Sequence, residues 1–204
     1  IRREGDHILF PVLSEEASKL GYELVEADLD ERELMTSDYR AYMVVDIGIK
    51  ERLPSAFDII GDVAIIRLDD DLTGLASSVG EALMKTFPRL RTVALDKGVK
   101  GKLRVRDLQV VAGEDDTETV HTEYGIRLAI DPAKVYFNPR LSNERYRVAR
   151  LVREGERVVD MFAGAGPFSI MIAKHAHPEV VYAMDLNRDA VEYLIRNVQL
   201  NKVT

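Results

Sequence analysis

Val158-Val159-Asp160-Met161-Phe162-Ala163-Gly164-Ala165-Gly166-Pro167-Phe168-Ser169 runs a β-branched apolar stretch into a glycine-spaced turn. Downstream, Val181-Tyr182-Ala183-Met184-Asp185 is a second apolar run that ends in a carboxylate. This is the opening pattern of a nucleotide-binding βαβ unit. Gly164 and Gly166 let the backbone turn tightly and approach a ligand, and the following helix start offers N–H groups. Asp185 lies 19 residues past Gly166, where an acid at a strand end can accept hydrogen bonds from both ribose hydroxyls. The pattern points to an adenosine-containing ligand.

Which ligand is not set by spacing. Ser169 stands where the third glycine of G-x-G-x-x-G would be, and Pro167 follows the second glycine. A pyrophosphate wants a bare, glycine-lined helix start, so Pro167-Phe168 argues against a dinucleotide. S-adenosylmethionine has no phosphate and makes no such demand. An NAD-dependent dehydrogenase stays open as a rival, and so does a glycine turn that binds nothing.

The chain has 204 residues, 46% of them hydrophobic. That is enough for one large or two small folded domains. No apolar run reaches the ~18–20 residues needed to span a bilayer, and no secretory signal is visible. There is no cysteine, which excludes disulfides, thiolate metal sites and a cysteine nucleophile in this chain. The net charge of −7 does not announce a nucleic-acid binder, but the basic residues cluster. Lys85, Arg89, Arg91, Lys97, Lys100, Lys102, Arg104 and Arg106 form one group; Lys134, Arg140, Arg145, Arg147, Arg150, Arg153 and Arg157 form another. Such clusters can contact phosphates, or they can be solvated faces.

Elements that would position these groups follow from periodicity. Asp6–Leu13 reads as a strand, Ser14–Leu20 as a helix, Tyr22–Leu29 as a strand and the acidic Asp28–Asp38 as a linker. Asp58–Leu68 reads as one strand entered through Gly61-Asp62, and Leu72–Phe87 as a helix stopped by Pro88. Thr92–Leu95 is a strand, Asp96–Lys102 a loop, and Val105–Val111, Thr117–His121 and Ile126–Ile130 are further strands in an antiparallel order. Then come helix Leu141–Val152, strand Arg157–Phe162, helix Ser169–His175, strand Val180–Asp185 and helix Asp189–Leu200. The fold class is α/β: a small N-terminal α+β domain (1–36), an α+β middle domain (37–131) and a Rossmann-like domain (132–204). A doubly wound sheet needs roughly five strands and the last domain supplies two, so the expectation is a truncated domain.

Four ordered segments resemble one family, the archaeal and eukaryotic-type tRNA guanine-37 N1-methyltransferases. They are Gly101-Lys102-Leu103-Arg104-Val105-Arg106-Asp107-Leu108, Thr119-Val120-His121-Thr122-Glu123-Tyr124-Gly125, Lys134-Val135-Tyr136-Phe137-Asn138-Pro139-Arg140-Leu141-Ser142-Asn143-Glu144-Arg145, and Val159 to Ser169. Phe57-Asp58-Ile59-Ile60-Gly61-Asp62 is similar to the start of that family's middle domain. The resemblance implies a class I enzyme that uses S-adenosylmethionine and acts on tRNA, through the anticodon stem-loop and the tRNA body. It further implies a cytoplasmic monomer with no membrane contact. A relative that transfers the aminocarboxypropyl group of the same cofactor in the wybutosine pathway is the alternative. It fits less well at Pro139-Arg140-Leu141 and Gly166-Pro167-Phe168-Ser169. A class-different alternative is an RNA-recognition fragment without turnover.

The resemblance also implies roles. Guanine N1 carries a proton at neutral pH, so its methylation needs a general base and a donor for the charge that builds on O6. Glu144 matches the family's base and Arg104 the arginine on O6. Tyr136 and Arg140 match residues at the target base. Arg145, Asp160, Phe162, Gly164, Gly166, Asp185 and Leu186 match the cofactor set, with Arg145 facing the methionine carboxylate. Methylation at pyrimidine C5 is excluded, because it needs a covalent thiol adduct.

Overall fold

The structure is a computed structural model that describes residues 2–4, 7–10, 19, 21, 23, 25 and 37–203. Ile1–Met35 and Thr36–Thr204 are two compact units. In the first, β1 (Arg2–Glu4) and β2 (His7–Leu9) pair antiparallel, with Arg2 opposite Leu9. The strand expected over Asp6–Leu13 coincides with β2 at His7–Leu9. Apart from isolated positions, the rest of it, the expected helix 14–20, strand 22–29 and linker 28–38 lie outside the described residues.

The second unit opens with a 3-10 turn at Tyr39–Tyr42 and the short helix α1 (Ile47–Arg52), neither of which periodicity indicates. A four-stranded sheet follows in the order β3-β4-β5-β6, with β3 at Asp58–Ile60, β4 at Val63–Ile66, β5 at Thr92–Lys100 and β6 at Val105–Gly113. The helix α2 (Ala76–Thr86), preceded by a 3-10 turn at Asp70–Leu75, connects β4 to β5, which pair parallel. This corrects two expectations. Asp58–Leu68 is a hairpin, because Gly61 takes φ +58° and reverses the chain between β3 and β4. The order is mixed rather than antiparallel, because α2 is long enough to carry the chain back across the sheet.

A third correction concerns Asp96–Lys102. The strand does not stop at Leu95 but runs to Lys100 through a register shift between Asp96 and Val99. Gly98 at φ +116° and its N–H on Asp96 Oδ1 at 2.9 Å accommodate the extra residue. Bulges of this kind tolerate a glycine that a regular ladder would not favour.

Next, β7 (Thr119–Glu123) and β8 (Ile126–Ile130) form a hairpin. Both turn residues, Tyr124 and Gly125, have positive φ, as a two-residue type I′ connection requires. Tyr124 tolerates that backbone while its ring stacks on Tyr146 at 4.3 Å. After a 3-10 turn at Pro139–Leu141 come α3 (Ser142–Ala149), β9 (Arg157–Asp160), α4 (Pro167–His175), β10 (Val180–Ala183) and α5 (Arg188–Asn201). β9 and β10 pair parallel, with Val159 beside Tyr182. Val159, Met161, Tyr182 and Met184 are exposed among the described residues. Parallel strands normally bury both faces.

The apolar residues of β4 divide between two cores. Ala64 and Ile66 join Val79, Leu83, Val93 and Leu95 under α2. Val63 and Ile65 join Ile126, Leu128, Ile130, Phe137, Ile170 and Met171. The second core thus continues from the four-stranded sheet into the βαβ unit, and the chain is one compact body across residues 131 and 132. No helix among the described residues is long and apolar enough to cross a membrane.

One buried ion pair ties the hairpin to α3. Arg145 is 1% exposed, and its Nε and Nη2 fork onto Glu123 Oε1 and Oε2 at 2.6 and 2.5 Å. Burial raises the Glu123 carboxyl, but the hydrogen bonds from Arg145 and His121 outweigh it and hold the group below its ordinary range. Glu123→Gln removes the charge and leaves Arg145 buried without a counter-ion. The expected loss is about 3–5 kcal/mol, measurable by denaturant unfolding. Because the folded-state pKa is depressed, this stabilisation is complete above the unfolded value of about 4.3. It disappears as pH falls through that value toward the folded one. The Glu123→Gln variant should lack that part of the acid dependence.

Candidate functional site

The turn between β9 and α4 is held from several sides. Gly164 takes φ +55° and donates its N–H to Asp185 Oδ2 at 2.8 Å. The other carboxylate oxygen of Asp185 accepts from Asn187 N–H at 2.8 Å. Each oxygen has a second lone pair left, so the acid still has capacity for two ribose hydroxyls. Gly166 takes φ +83°, and a Cβ there would lie 2.1 Å from Leu194 Cδ1. Its side chain is excluded both by the backbone and by the approach of α5. Asp160 accepts from Ser169 Oγ at 2.7 Å, which fastens the β9 end to the first turn of α4.

The helix start suits a ligand without phosphate. Pro167 is the first residue of α4 and has no N–H, and Gly166 N–H is spent on Ala163 O at 2.8 Å. Two amides that a pyrophosphate would use are therefore missing. Phe162 and Leu186 flank the turn, 82% and 90% exposed. They offer apolar surface beside the acid, of the kind a purine ring covers.

Tyr136 runs alongside this turn: its carbonyl oxygen is 3.8 Å from the Cβ position of Gly164, and its side chain is exposed. Two residues earlier, Lys134 O accepts from Asn187 Nδ2 at 2.9 Å. Arg140 reaches the four-stranded sheet, donating from Nε to Asp58 Oδ1 at 2.9 Å. Asp58 Oδ2 accepts from Arg106 Nη2 at 3.0 Å. Arg104, at φ +55° in the exposed β5–β6 turn, is two residues from Arg106, so their Cα atoms are within about 7 Å. The Asp58 bridge thus brings the Arg104 hairpin and the Tyr136–Arg140 segment together.

Two residues sit differently from expectation. Arg145 is turned into the protein. Besides Glu123 it donates to Asn138 O at 3.0 Å, and it lies over the Phe137 ring at 4.8 Å. Its burial corrects the reading of a guanidinium facing a methionine carboxylate; it braces the Phe137-Asn138 backbone instead. Glu144 is exposed on the first turn of α3 and forked by Arg147, with Nε and Nη2 on its two oxygens at 2.7 and 2.6 Å. The Arg147 hydrogen bonds hold the Glu144 carboxyl below its ordinary range. It is therefore ionised near neutrality, and each oxygen keeps a second lone pair beside the Arg147 bond. An exposed pair of this kind holds weakly.

Part of each basic cluster pairs with carboxylates of the chain. Arg91 contacts Asp62, Glu114 and Asp116; Lys100 pairs with Asp107 and Lys134 with Asp131. Periodicity alone did not indicate the asparagines of α5. Asn197, fully buried, accepts from Ala129 N–H at 2.7 Å and donates to Ala129 O and Ala165 O at 3.1 and 2.9 Å. Asn201 binds Arg127 N–H and O in the same manner at 2.8 and 2.6 Å. A signal existed: 190, 193, 194, 197 and 201 form one helix face, and an amide on an apolar face demands a partner.

Comparison with known proteins matches this geometry. A family described as the TRM5/TYW2 methyltransferase domain matches residues 119–204, and one described as the TYW2 N-terminal domain matches residues 44–117. The tRNA (guanine(37)-N(1))-methyltransferase Trm5b of Pyrococcus abyssi is 45% identical over all of this chain. The chain spans 60% of that relative. A solved complex of aTrm5 with tRNALeu superposes with a TM-score of 0.77 at 38% identity, over 94% of this chain and 59% of that one. TYW2 of P. horikoshii, solved with MeSAdo, gives 0.66 at 31% identity, over 78% and 56%. Two adjacent family matches, the fold and the glycine turn with its acid agree: residues 119–204 are similar to the TRM5/TYW2 methyltransferase domain and residues 44–117 to the TYW2 N-terminal domain.

Proposed function

We propose that the protein is a tRNA methyltransferase that transfers the methyl group of S-adenosylmethionine to N1 of guanosine 37. The observation that carries this reading is the Gly164 N–H to Asp185 bond, which joins the glycine turn to the strand-end acid. The identity to Trm5b of P. abyssi, 45% over the whole chain, against 31% to TYW2 over 78% of it, favours methyl over aminocarboxypropyl transfer. The tRNA in the aTrm5 complex supports tRNA as the partner. A cytoplasmic monomer belongs to the same proposal, as does RNA recognition by residues 37–131.

Bound S-adenosylmethionine supplies an electrophilic methyl on a sulfonium. Asp185 accepts the ribose hydroxyls, Gly164 and Gly166 give the backbone room, and Phe162 and Leu186 cover the adenine. Asp160 keeps the turn aligned through Ser169. Glu144 would take the N1 proton, which frees the N1 electron pair for the methyl group that the bound cofactor would supply. Arg104 holds the charge on O6 through a planar, permanently charged guanidinium. Tyr136 and Arg140 flank the extruded base, where a ring or guanidinium plane can stack.

Asp185→Ala in the full-length protein should weaken S-adenosylhomocysteine by about 1.5–3 kcal/mol, the worth of hydrogen bonds to a charged group. Unchanged calorimetric affinity would remove Asp185 from the site. Glu144→Gln should slow single-turnover methylation of a guanosine-37 tRNA by about 10²–10⁴-fold. Arg104→Ala should slow it by about 10²–10³-fold. Both losses should fall on kcat more than on KM, because the groups act in the transition state. A Glu144→Gln rate within about threefold of the parent contradicts a base role, which is worth at least ~10²-fold.

A further inference from the structure

The hairpin β7–β8 leaves alternate backbone groups of β8 pointing away from β7. Arg127 and Ala129 carry these outward N–H and C=O groups, and an unpaired strand edge normally needs cover. No strand among the described residues supplies it. Two side-chain amides four residues apart on α5 do: Asn201 serves Arg127 and Asn197 serves Ala129. In this respect the two residues are equivalent.

They differ in where the second Nδ2 proton goes. Asn201 gives its own to Asn197 O within α5 at 2.8 Å, whereas Asn197 gives its own to Ala165 O at 2.9 Å, between the two turn glycines. The amide is fully buried, so no water replaces it. Ala165 itself is buried, and its flanking residues are the two most freely rotating in the turn. A fixed Ala165 carbonyl sets the Ala165–Gly166 peptide plane, and so limits how the freely rotating glycine on each side can turn. Gly164 N–H, which meets Asp185, is one residue away.

We infer that Asn197 is a positioning residue for the cofactor turn: it fixes the Ala165 carbonyl, and through it the Gly164–Gly166 backbone, against the β8 edge. Asn201 covers the same edge without touching the turn. The inference rests on the cofactor reading above. It adds that α5 and the hairpin, outside the glycine motif, set cofactor affinity.

The test compares Asn197→Ala with Asn201→Ala in the full-length protein. Both should lower the melting temperature, because both expose the β8 edge. Only Asn197→Ala should weaken S-adenosylhomocysteine, by about three- to tenfold, the worth of one neutral hydrogen bond. Asn201→Ala should stay within about twofold on that scale, and the KM for tRNA should not move in either. If Asn197→Ala does not fold, Asn197→Ser carries the comparison, since one hydroxyl cannot span both the strand and the turn. Amide exchange in the unmutated protein gives a second readout. S-adenosylhomocysteine should slow exchange at Ala129 N–H, bonded to Asn197, more than at Arg127 N–H, bonded to Asn201. Equal affinities for the two alanine variants, or equal slowing at the two amides, overturns the inference. Absence of any S-adenosylhomocysteine binding by the unmutated protein overturns the cofactor reading instead.

Discussion

The close approach of α5 to the Gly164–Gly166 turn is the constraint on which the site depends. Gly166 takes φ +83°, a backbone that favours glycine, and Leu194 Cδ1 stands 2.1 Å from where a Cβ there would sit. The approach lets Asn197 reach the Ala165 carbonyl and places the N-cap Asn187 beside Asp185 and Lys134. Two asparagines of this helix, the N-cap Asn187 and Asn197, thereby tie together the strand-end acid, the turn and the segment that carries Tyr136. Loops with few fixed backbone groups open easily; this one is fixed at the carbonyl and at the neighbouring amide.

A second set of contacts joins the four-stranded sheet to the same region. Asp58 receives Arg106 from β6 and Arg140 from the segment after Tyr136. His121 lies 3.6 Å from Glu123 through Nε2 and accepts Gly61 N–H at Nδ1. Glu123 in turn holds Arg145, which holds Asn138 O. These contacts run from the β3–β4 turn to the backbone beside Arg140. Their consequence is that the sheet and the βαβ unit share one core, with Val63 and Ile65 packed among Ile126, Leu128 and Phe137. A group on the β5–β6 hairpin can then be held near the Tyr136 segment without a flexible tether.

Much of the βαβ unit was legible in the sequence. Val158–Asp160, the glycines and Asp185 are local signals: each states its own backbone requirement. The charged residues were less legible, because their roles depend on partners distant in sequence. Arg145 is expected to face a methionine carboxylate, but Glu123 pairs with it from the hairpin. The basic clusters are open to phosphate contacts or solvated faces, and Lys100, Arg91 and Arg106 pair with Asp107, Asp62 and Asp58. Gly61 and Gly98 mislead in the opposite sense. Gly61 sits within an apolar stretch and marks a turn that periodicity averages away, whereas Gly98, in a charged stretch that reads as a loop, marks a bulge inside β5. Asn197 and Asn201 were visible as polar residues on an apolar helix face, but what they bind is set by the topology alone.

The account's central claim is that the glycine turn and Asp185 hold an adenosine cofactor without a pyrophosphate. Calorimetric titration of the full-length protein with S-adenosylhomocysteine and, separately, with NAD tests it most directly. Saturable one-site binding of S-adenosylhomocysteine with no heat from NAD is the predicted result. Binding of NAD with no response to S-adenosylhomocysteine would contradict it.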